Sequence, residues 1–142
     1  MNTTVYSFAD VSLVLSHPSV GKLTLNGQGL GSVAFSRGSD NTAHDVAADG
    51  SVMVSKVVTK NGSMSVAIQQ TSEAQVWLKK WYQYLITAPS SEYAKTTAVL
   101  KNPSLNEVFN MSGVCPQKRP DVTYGQTGQQ VTWGFLVAEI TE

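Results

Sequence analysis

The sequence predicts a mainly β domain in which two antiparallel sheets pack as a sandwich or barrel and one α-helix flanks them. Three observations lead to this prediction: short runs alternate apolar and polar residues, one central stretch changes to helical spacing, and alternation then returns. The 142 residues suit one domain over residues 1–142, because a chain of this length buries roughly two-thirds of its unfolded surface. The sequence contains no internal repeat.

The first half of the chain predicts strands, because its alternating runs have the two-residue period of a pleated strand. The runs cover residues 11–15, 22–25, 32–35, 51–58 and 63–68. The Asn61-Gly62 dipeptide suits a tight turn, so we expect residues 51–58 and 63–70 to form a hairpin. The glycine-rich segment 27–31 is expected to be a bend or bulge. Residues 38–50 are expected to be a long loop.

The central stretch predicts one amphipathic helix over about residues 72–87. Ser72 is a suitable N-cap, Gln75 would complete a capping box, and Pro89 discourages continuation of the helix. The apolar residues expected to pack this helix against a sheet are Trp77, Leu78, Trp81 and Leu85. The helix is therefore predicted to be a packing element.

Strand patterns return after the helix and continue to the end of the chain. The predicted strands cover residues 96–101, 105–114 and 129–140. The tripeptide Asn102-Pro103-Ser104 predicts a turn between the first two of them. Residues 115–128 are rich in proline and glycine and are expected to be a long connection.

The composition excludes several classes of protein. Only 14% of residues are charged, and ten basic residues balance ten acidic ones, so tight nucleic-acid binding is disfavoured. The single cysteine excludes an internal disulfide, and the N-terminus lacks a secretory pattern, so we expect folding in a reducing cytoplasm. The longest apolar runs fall far short of the roughly 20 residues that a membrane span needs.

The residues that could carry chemistry form no recognisable pattern. His17 and His44 lie far apart, and Cys115 has no histidine near it in the sequence. The aspartates of residues 38–50 lack the alternation and the closing glutamate of a calcium loop. We therefore predict no catalytic, cofactor or metal site, and no enzymatic activity.

The predicted hairpin of residues 51–58 and 63–70 has two different faces. The face expected to pack carries Val52, Val54, Val66 and Ile68. The opposite face is largely small, hydroxylic and uncharged, which suits either ordinary solvent or a channel wall that must not retain its cargo. Its residues are Ser51, Met53, Ser55, Ser63, Ser65, Ala67 and Gln69.

Three segments resemble, in order and spacing, the tail-tube proteins of contractile-tailed bacteriophages. They are Tyr6-Ser7-Phe8-Ala9-Asp10-Val11, the run from Ala48-Asp49-Gly50-Ser51-Val52-Met53 to Gln70-Thr71-Ser72, and Arg119-Pro120-Asp121-Val122-Thr123-Tyr124 with Val131-Thr132-Trp133. The three segments together span most of the chain, although residues 89–102 contribute nothing to the resemblance. It implies two packed sheets and a flanking helix, in agreement with the periodicity.

The resemblance also implies a function. In this family six subunits join their sheets edge to edge into a ring, and stacked rings form the tail tube through which DNA is ejected. The implied partners are further copies of the chain, sheath, tape-measure, and baseplate or terminator proteins, in a virion assembled in the host cytoplasm. The candidates for the lumen are then the polar residues of the largely hydroxylic face, Ser51, Ser55, Ser63, Ser65 and Gln69. The candidates for ring stacking are the N-terminal segment and Asp40, His44, Asp45, Asp49 and Gly50.

Three other interpretations stay open. The chain could be the tube protein of a tailocin or of a secretion system, because the same fold serves each. A monomeric β-sandwich binding module would use Trp133, Tyr124 and residues 38–50 as its ligand surface. A hydrolase would need Cys115 within hydrogen-bond reach of one histidine.

Overall fold

The computed structural model describes residues 2–26 and 30–142, and it confirms the predicted mainly β fold with one α-helix. The strands are β1 (Ser12–His17), β2 (Gly21–Leu25), β3 (Leu30–Arg37), β4 (Thr42–Val46), β5 (Val52–Lys56), β6 (Gly62–Gln69), β7 (Thr97–Asn102), β8 (Glu107–Ser112), β9 (Cys115–Lys118), β10 (Gln130–Val137) and β11 (Glu139–Thr141). The helix α1 covers Glu73–Thr87.

The strands form two antiparallel sheets that pack as a sandwich, together with a two-stranded ribbon. The five-stranded sheet has the order β11-β8-β7-β1-β2, and the four-stranded sheet has the order β3-β6-β10-β9. The ribbon consists of β4 and β5. Alternate residues of each sandwich strand face the interior, because successive side chains point to opposite sides of a sheet. In β6, for example, Met64, Val66 and Ile68 are buried.

The helix closes one side of the sandwich with the face that the sequence predicted. Leu78, Trp81 and Leu85 are buried, whereas Trp77 is only partly buried and stacks on Trp81 at a centroid distance of 6.1 Å. The Trp81 indole donates a hydrogen bond to Thr96 Oγ1 over 2.9 Å. The indole therefore contributes apolar area to the core without leaving its N–H unsatisfied.

Only half of the predicted capping box forms. Ser72 is the N-cap, and its hydroxyl accepts a hydrogen bond from Gln75 N. The Gln75 side chain does not reach back to Ser72, because it is buried and its Oε1 accepts a hydrogen bond from Trp133 Nε1 over 2.8 Å. Leaving a buried indole N–H unpaired would cost about 1–3 kcal/mol, more than a surface cap contributes.

The predicted hairpin between residues 51–58 and 63–70 was wrong, because β5 pairs with β4 and β6 pairs with β3 and β10. Gly62 does not form a turn. It is the buried first residue of β6, where an added Cβ would overlap the Ser36 carbonyl oxygen and approach Ile140 Cδ1 within 2.8 Å. The glycine is therefore needed for close packing.

The turn lies instead at Asp49-Gly50, another dipeptide that suits a tight turn. Gly50 has a φ of 88°, a conformation that favours glycine. Asp49 Oδ1 accepts a hydrogen bond from Ser51 N over 2.9 Å, and Ala47 N donates to Ser51 O over 2.8 Å. The predicted loop at residues 38–50 is thus one side of a hairpin and contains β4.

Two further boundaries differ from the predictions, and one predicted bulge is confirmed. The expected connection at residues 115–128 begins with β9, which the sequence does not reveal because its four residues, Cys-Pro-Gln-Lys, do not alternate. The expected strand at residues 129–140 breaks at Ala138, so that β10 and β11 belong to different sheets. A register shift between Leu30 and Ser32 confirms a bulge at Gly31, whereas the rest of the predicted bend, residues 27–29, lies outside the described residues.

Candidate assembly surfaces

The outward face of the four-stranded sheet is small, polar and nearly uncharged. On its three long strands the outward residues are Ser32, Ala34, Ser36, Ser63, Ser65, Ala67, Gln69, Gln130, Thr132, Gly134 and Leu136. The edge strand β9 adds one charged residue, Lys118, which lies opposite Gly134. Ser36 and Ser63 share a hydrogen bond of 3.0 Å between their hydroxyls. This surface, called the neutral face below, differs from the outer face of the five-stranded sheet, which carries Lys22, Lys101 and Glu139.

The free edges of the four-stranded sheet are β3 and β9. They run in opposite directions, because each of the three neighbouring strand pairs in this sheet is antiparallel. Each edge also carries a feature that limits unwanted pairing: a bulge at Gly31 in β3, and Pro116, which has no N–H to donate, in β9. Edge pairing is therefore restricted to a partner of matching shape.

Residues 38–61, which we call the arm, extend the β3–β6 hairpin as a ribbon beyond the sandwich. The ladder continues through Gly38 N to Asn61 O (2.9 Å) and Val57 N to Asn41 O (2.8 Å) before β4 pairs with β5. From residue 38 to its turn the arm is roughly 30 Å long at about 3.3 Å per residue. No residue of the arm is buried.

The arm exposes more apolar surface than a solvated ribbon requires. Val54 is 63% exposed and Val58 75% exposed, and the other exposed apolar side chains are Val46, Val52, Met53 and Val57. Val46 lies directly opposite Val52, so the two valines share one face of the ribbon. A cluster of this kind on an otherwise ordinary surface is typical of an interaction site.

The base of the arm is fixed to the sandwich by the C-terminal strand. Ile140 N donates to Lys60 O over 2.8 Å, and the Arg37 guanidinium donates to Ile140 O over 3.3 Å. Arg37 and Lys60 also pair with Glu142 and Glu139 on the surface, at 3.4 and 3.8 Å. The direction of the arm is therefore set where it leaves the sandwich.

The five serine and glutamine candidates do not share one surface. Ser63, Ser65 and Gln69 lie on the neutral face, whereas Ser51 and Ser55 lie in the arm. The prediction that Val52 and Val54 belong to the packing face was also wrong, because both are exposed in β5. The cause is the misplaced turn, which assigned one alternating run to the wrong sheet.

The ring-stacking candidates Asp40, His44, Asp45, Asp49 and Gly50 all lie in the arm and are exposed. The pKa of the Asp49 carboxyl is lowered by its hydrogen bonds to Ser51. Because the charged form accepts those bonds, Asp49 stabilises the turn as a carboxylate. The candidates thus extend from Asp40, near the base of the arm, to Gly50 at its turn, and three of them are acidic.

The groups that a hydrolase would use are engaged elsewhere. His17 is buried, its Nδ1 accepts from Ser19 N, and its Nε2 lies 3.0 Å from Glu92 O. The Cys115 thiol donates to the carbonyl oxygens of Tyr93 and Gly113, and burial raises its pKa. A raised pKa lowers the fraction of reactive thiolate at neutral pH.

The ligand surface expected of a binding module does not form, because Trp133 is fully buried beneath α1, whereas Tyr124 is exposed.

Among residues 2–26 and 30–142, no three side chains of His, Cys, Asp or Glu converge to hold a metal ion. Within the same residues, no helix combines the length and the apolar character needed to cross a membrane.

The family of the chain follows from comparison with family models. The model described as "Bacteriophage PhiTE tail tube protein" matches residues 2–142. The chain belongs to this tail tube family. Comparison with curated protein sequences finds no match.

The tail tube protein is also similar in fold to solved components of contractile injection systems. One is a chain of the anti-feeding prophage baseplate, with a TM-score of 0.62 and 11% identity over 99% of this chain and 96% of that one. Another is a chain of the anti-feeding prophage cap, with a TM-score of 0.55 and 10% identity over 99% and 91%. A chain of the PVC sheath-tube complex has a TM-score of 0.50 and 13% identity over 91% and 86%.

Sequence reasoning missed two features of the tail tube protein that bear on assembly. The first is the pair of free edges, β3 and β9, because sheet order depends on contacts between distant segments. The second is the exposure of residues 121–130, which the sequence indicates only as a connection. The run Arg119-Pro120-Asp121 and the glycines at 125 and 128 were the available signal for an exposed segment.

Proposed function

We propose that this tail tube protein is the repeating subunit of a phage tail tube, in which six copies join their four-stranded sheets into a ring and rings stack into a conduit for DNA. The observation that carries the proposal is the neutral face, bounded by two free edge strands of opposite direction. Such a face suits the lumen, and such edges suit ring closure.

The two free edges suit ring closure because β3 and β9 run in opposite directions. When β9 of one copy lies beside β3 of the next, the two strands are antiparallel, so the alternation of directions continues around the ring. Closing the ring pairs backbone groups that a free edge would leave open to aggregation. Six four-stranded sheets, with strands about 4.8 Å apart and tilted by roughly 40°, give a backbone diameter on the order of 50 Å.

The neutral face suits DNA passage because it offers few fixed charges. Lysine or arginine side chains would bind phosphates with an affinity that grows with each contact, and DNA would be retained. Hydroxyl and amide side chains such as Ser63, Ser65 and Gln69 hydrogen bond to water without retaining a polyanion. The five-stranded sheet, which carries lysines and a glutamate, would then lie farther from the lumen.

The arm suits ring stacking because its exposed valines need a partner. Burying one valine fully contributes about 1.5–3 kcal/mol, and a ring would bury those of six arms. The similarity in fold to chains from a baseplate and from a sheath-tube complex supports the sheath and the baseplate or terminator proteins as partners. A tape-measure protein and passing DNA would occupy the lumen of the tube in the virion.

A second candidate function is the tube of a contractile injection system or tailocin. It is favoured by the similarity in fold to the anti-feeding prophage chains. In that case the neutral face would pass a protein cargo in place of DNA. Genes for a capsid beside the gene for this chain would favour the phage tail.

The proposal is tested first by negative-stain electron microscopy and light scattering of the purified protein over a wide range of concentration. We expect rings or hollow tubes of uniform width. A strictly monomeric particle at every concentration would contradict the proposal and would favour a binding module.

The lumen assignment is tested by Ser65→Lys, with Ser65→Gln as a neutral control of increased size. Six lysines in each ring should make assembled tubes retain short duplex DNA at low salt and release it at high salt, because phosphate contacts release counterions. Tubes of the wild type and of Ser65→Gln should retain little. Equal retention by all three would show that residue 65 does not face the lumen.

A further inference from the structure

Two long connections between strands of the four-stranded sheet lie at opposite ends of that sheet. The arm joins Arg37 to Gly62, and these two residues pair at one end of β3 and β6. At the other end of β6, Gln69 pairs with Gln130, the first residue of β10. Residues 119–129, which we call the distal segment, connect β9 to this point.

The distal segment has a defined course but an uncovered surface. Gln70 N donates to Gln129 O over 3.0 Å, and Gln70 Nε2 donates to Thr123 O over 3.1 Å. These bonds hold both sides of the segment against the end of β6. Nevertheless Tyr124 is 85% exposed and Val122 is 51% exposed, so the segment presents apolar side chains beyond the end of the sheet.

The far half of the arm and the start of the distal segment have complementary charges. Lys118 and Arg119 lie at the start of the distal segment, which has one acid, Asp121. The far half of the arm carries Asp45 and Asp49 and no lysine or arginine, whereas Asp40, Lys56 and Lys60 lie toward its base. Among the described residues, the ion pairs involve none of the side chains of Lys118, Arg119, Asp121, Asp45 and Asp49.

We propose that the arm of one copy docks on the distal segment of a copy in the next ring, with its valines against Val122 and Tyr124 and with Asp45, on the opposite face of the ribbon, near Arg119. The inference rests on the proposed function and deepens it by naming the receptor of the arm. The two surfaces lie at opposite ends of one sheet, so a single chain cannot join them. Contact between them joins two different surfaces of the same chain, which makes it a heterologous contact. Repeated head to tail, such a contact builds an open stack of defined polarity.

The test is a charge reversal on each side of the contact. Arg119→Glu alone and Asp45→Lys alone should each raise the concentration at which rings stack into tubes by about tenfold or more, since each contact repeats around the ring. Both changes in one chain should restore stacking. Lys118 is left unchanged because it belongs to the edge strand β9, and Asp49 because it holds the turn of the arm.

The apolar part of the contact is tested by Tyr124→Ala, with Val76→Ala on the exposed side of α1 as its control. Tyr124→Ala should reduce stacking and Val76→Ala should not. The readouts are tube length by electron microscopy and ring mass by light scattering. Stacking that survives both charge reversals, or that the combined variant fails to restore, would overturn the inference while leaving the tube intact. Absence of rings in the wild type would instead overturn the proposed function.

Discussion

One long hairpin runs through two regions of this tail tube protein, and its halves have opposite environments. The β3–β6 half lies in the sandwich, where every second residue of β6 is buried. The β4–β5 half lies in the arm, where none is buried. Both halves have the same antiparallel backbone ladder. An isolated two-stranded ribbon is only marginally stable in water. The difference between the halves therefore lies in side-chain packing: the residues of β6 have it in the sandwich, and those of β4 and β5 do not.

The comparison teaches that burial and exposure divide one hairpin between two roles. The sandwich half contributes to the core of the subunit, with Val66 facing Trp133 across the ladder. Under the proposed function, the arm half would contribute contact surface, because its apolar side chains would gain stability when a second copy covers them. The same substitution should therefore lower monomer stability in the sandwich half and weaken assembly in the arm half.

The largest expected difference is between Val66→Ala and Val54→Ala. Val66 is 0% exposed, so removing two methyl groups should lower the free energy of unfolding by about 2–3 kcal/mol, through lost burial and a residual cavity. Val54→Ala should change monomer stability by less than about 0.5 kcal/mol and should weaken tube formation. Urea unfolding of monomers and electron microscopy measure the two effects. Equal loss of monomer stability in both variants would remove the distinction between the halves.

A smaller difference is expected at the turn of the arm, where Gly50→Ala forces a side chain into a positive φ. The cost should be about 1 kcal/mol and confined to the arm, since the sandwich does not contact it there. Hydrogen exchange of the Ser51 and Gly50 amides should accelerate while global unfolding stays unchanged. Gly128→Ala is the control, because Gly128 has open space around it and no positive φ. A lower global stability in Gly50→Ala would show that the arm and the sandwich unfold together.

The smallest expected effect is the pH dependence of the same turn. The pKa of Asp49 is lowered below its ordinary value of 3.8 by hydrogen bonds from Ser51. Its contribution is therefore fully present above pH 3.8 and is lost as the pH falls through the lower folded-state pKa. Amide exchange in the arm should accelerate below that pH in the wild type, relative to sandwich amides. Asp49→Asn should show little of this pH dependence, and an identical profile in both proteins would exclude Asp49 as the cause.

The candidate surfaces were predictable only in part. The sequence indicated that Ser63, Ser65 and Gln69 form a small polar face, since alternation within one strand fixes which residues share a side. It could not indicate that Ser51 and Ser55 belong to a different ribbon. Two turn-forming dipeptides, Asp49-Gly50 and Asn61-Gly62, were compatible with the pattern, and only the burial of Gly62 against Ser36 and Ile140 distinguishes them.

The sequence by itself determined the features that have a local cause. Alternation over two residues gave most of the strands, and apolar spacing of three and four residues gave the helix with its buried Leu78, Trp81 and Leu85. The charge composition excluded a strongly basic surface. These features depend on neighbours within one strand or one turn of helix.

Only the tertiary structure decided which strands pair, where the long hairpin turns, and that β10 and β11 divide between two sheets. It also decided that Trp133 is buried beneath α1 and that the arm and the distal segment leave opposite ends of one sheet. These features depend on contacts between residues far apart in the chain, which no local period encodes. The same alternation of apolar and polar residues occurs in β6, whose apolar residues are buried in the sandwich, and in β5, whose apolar residues are exposed.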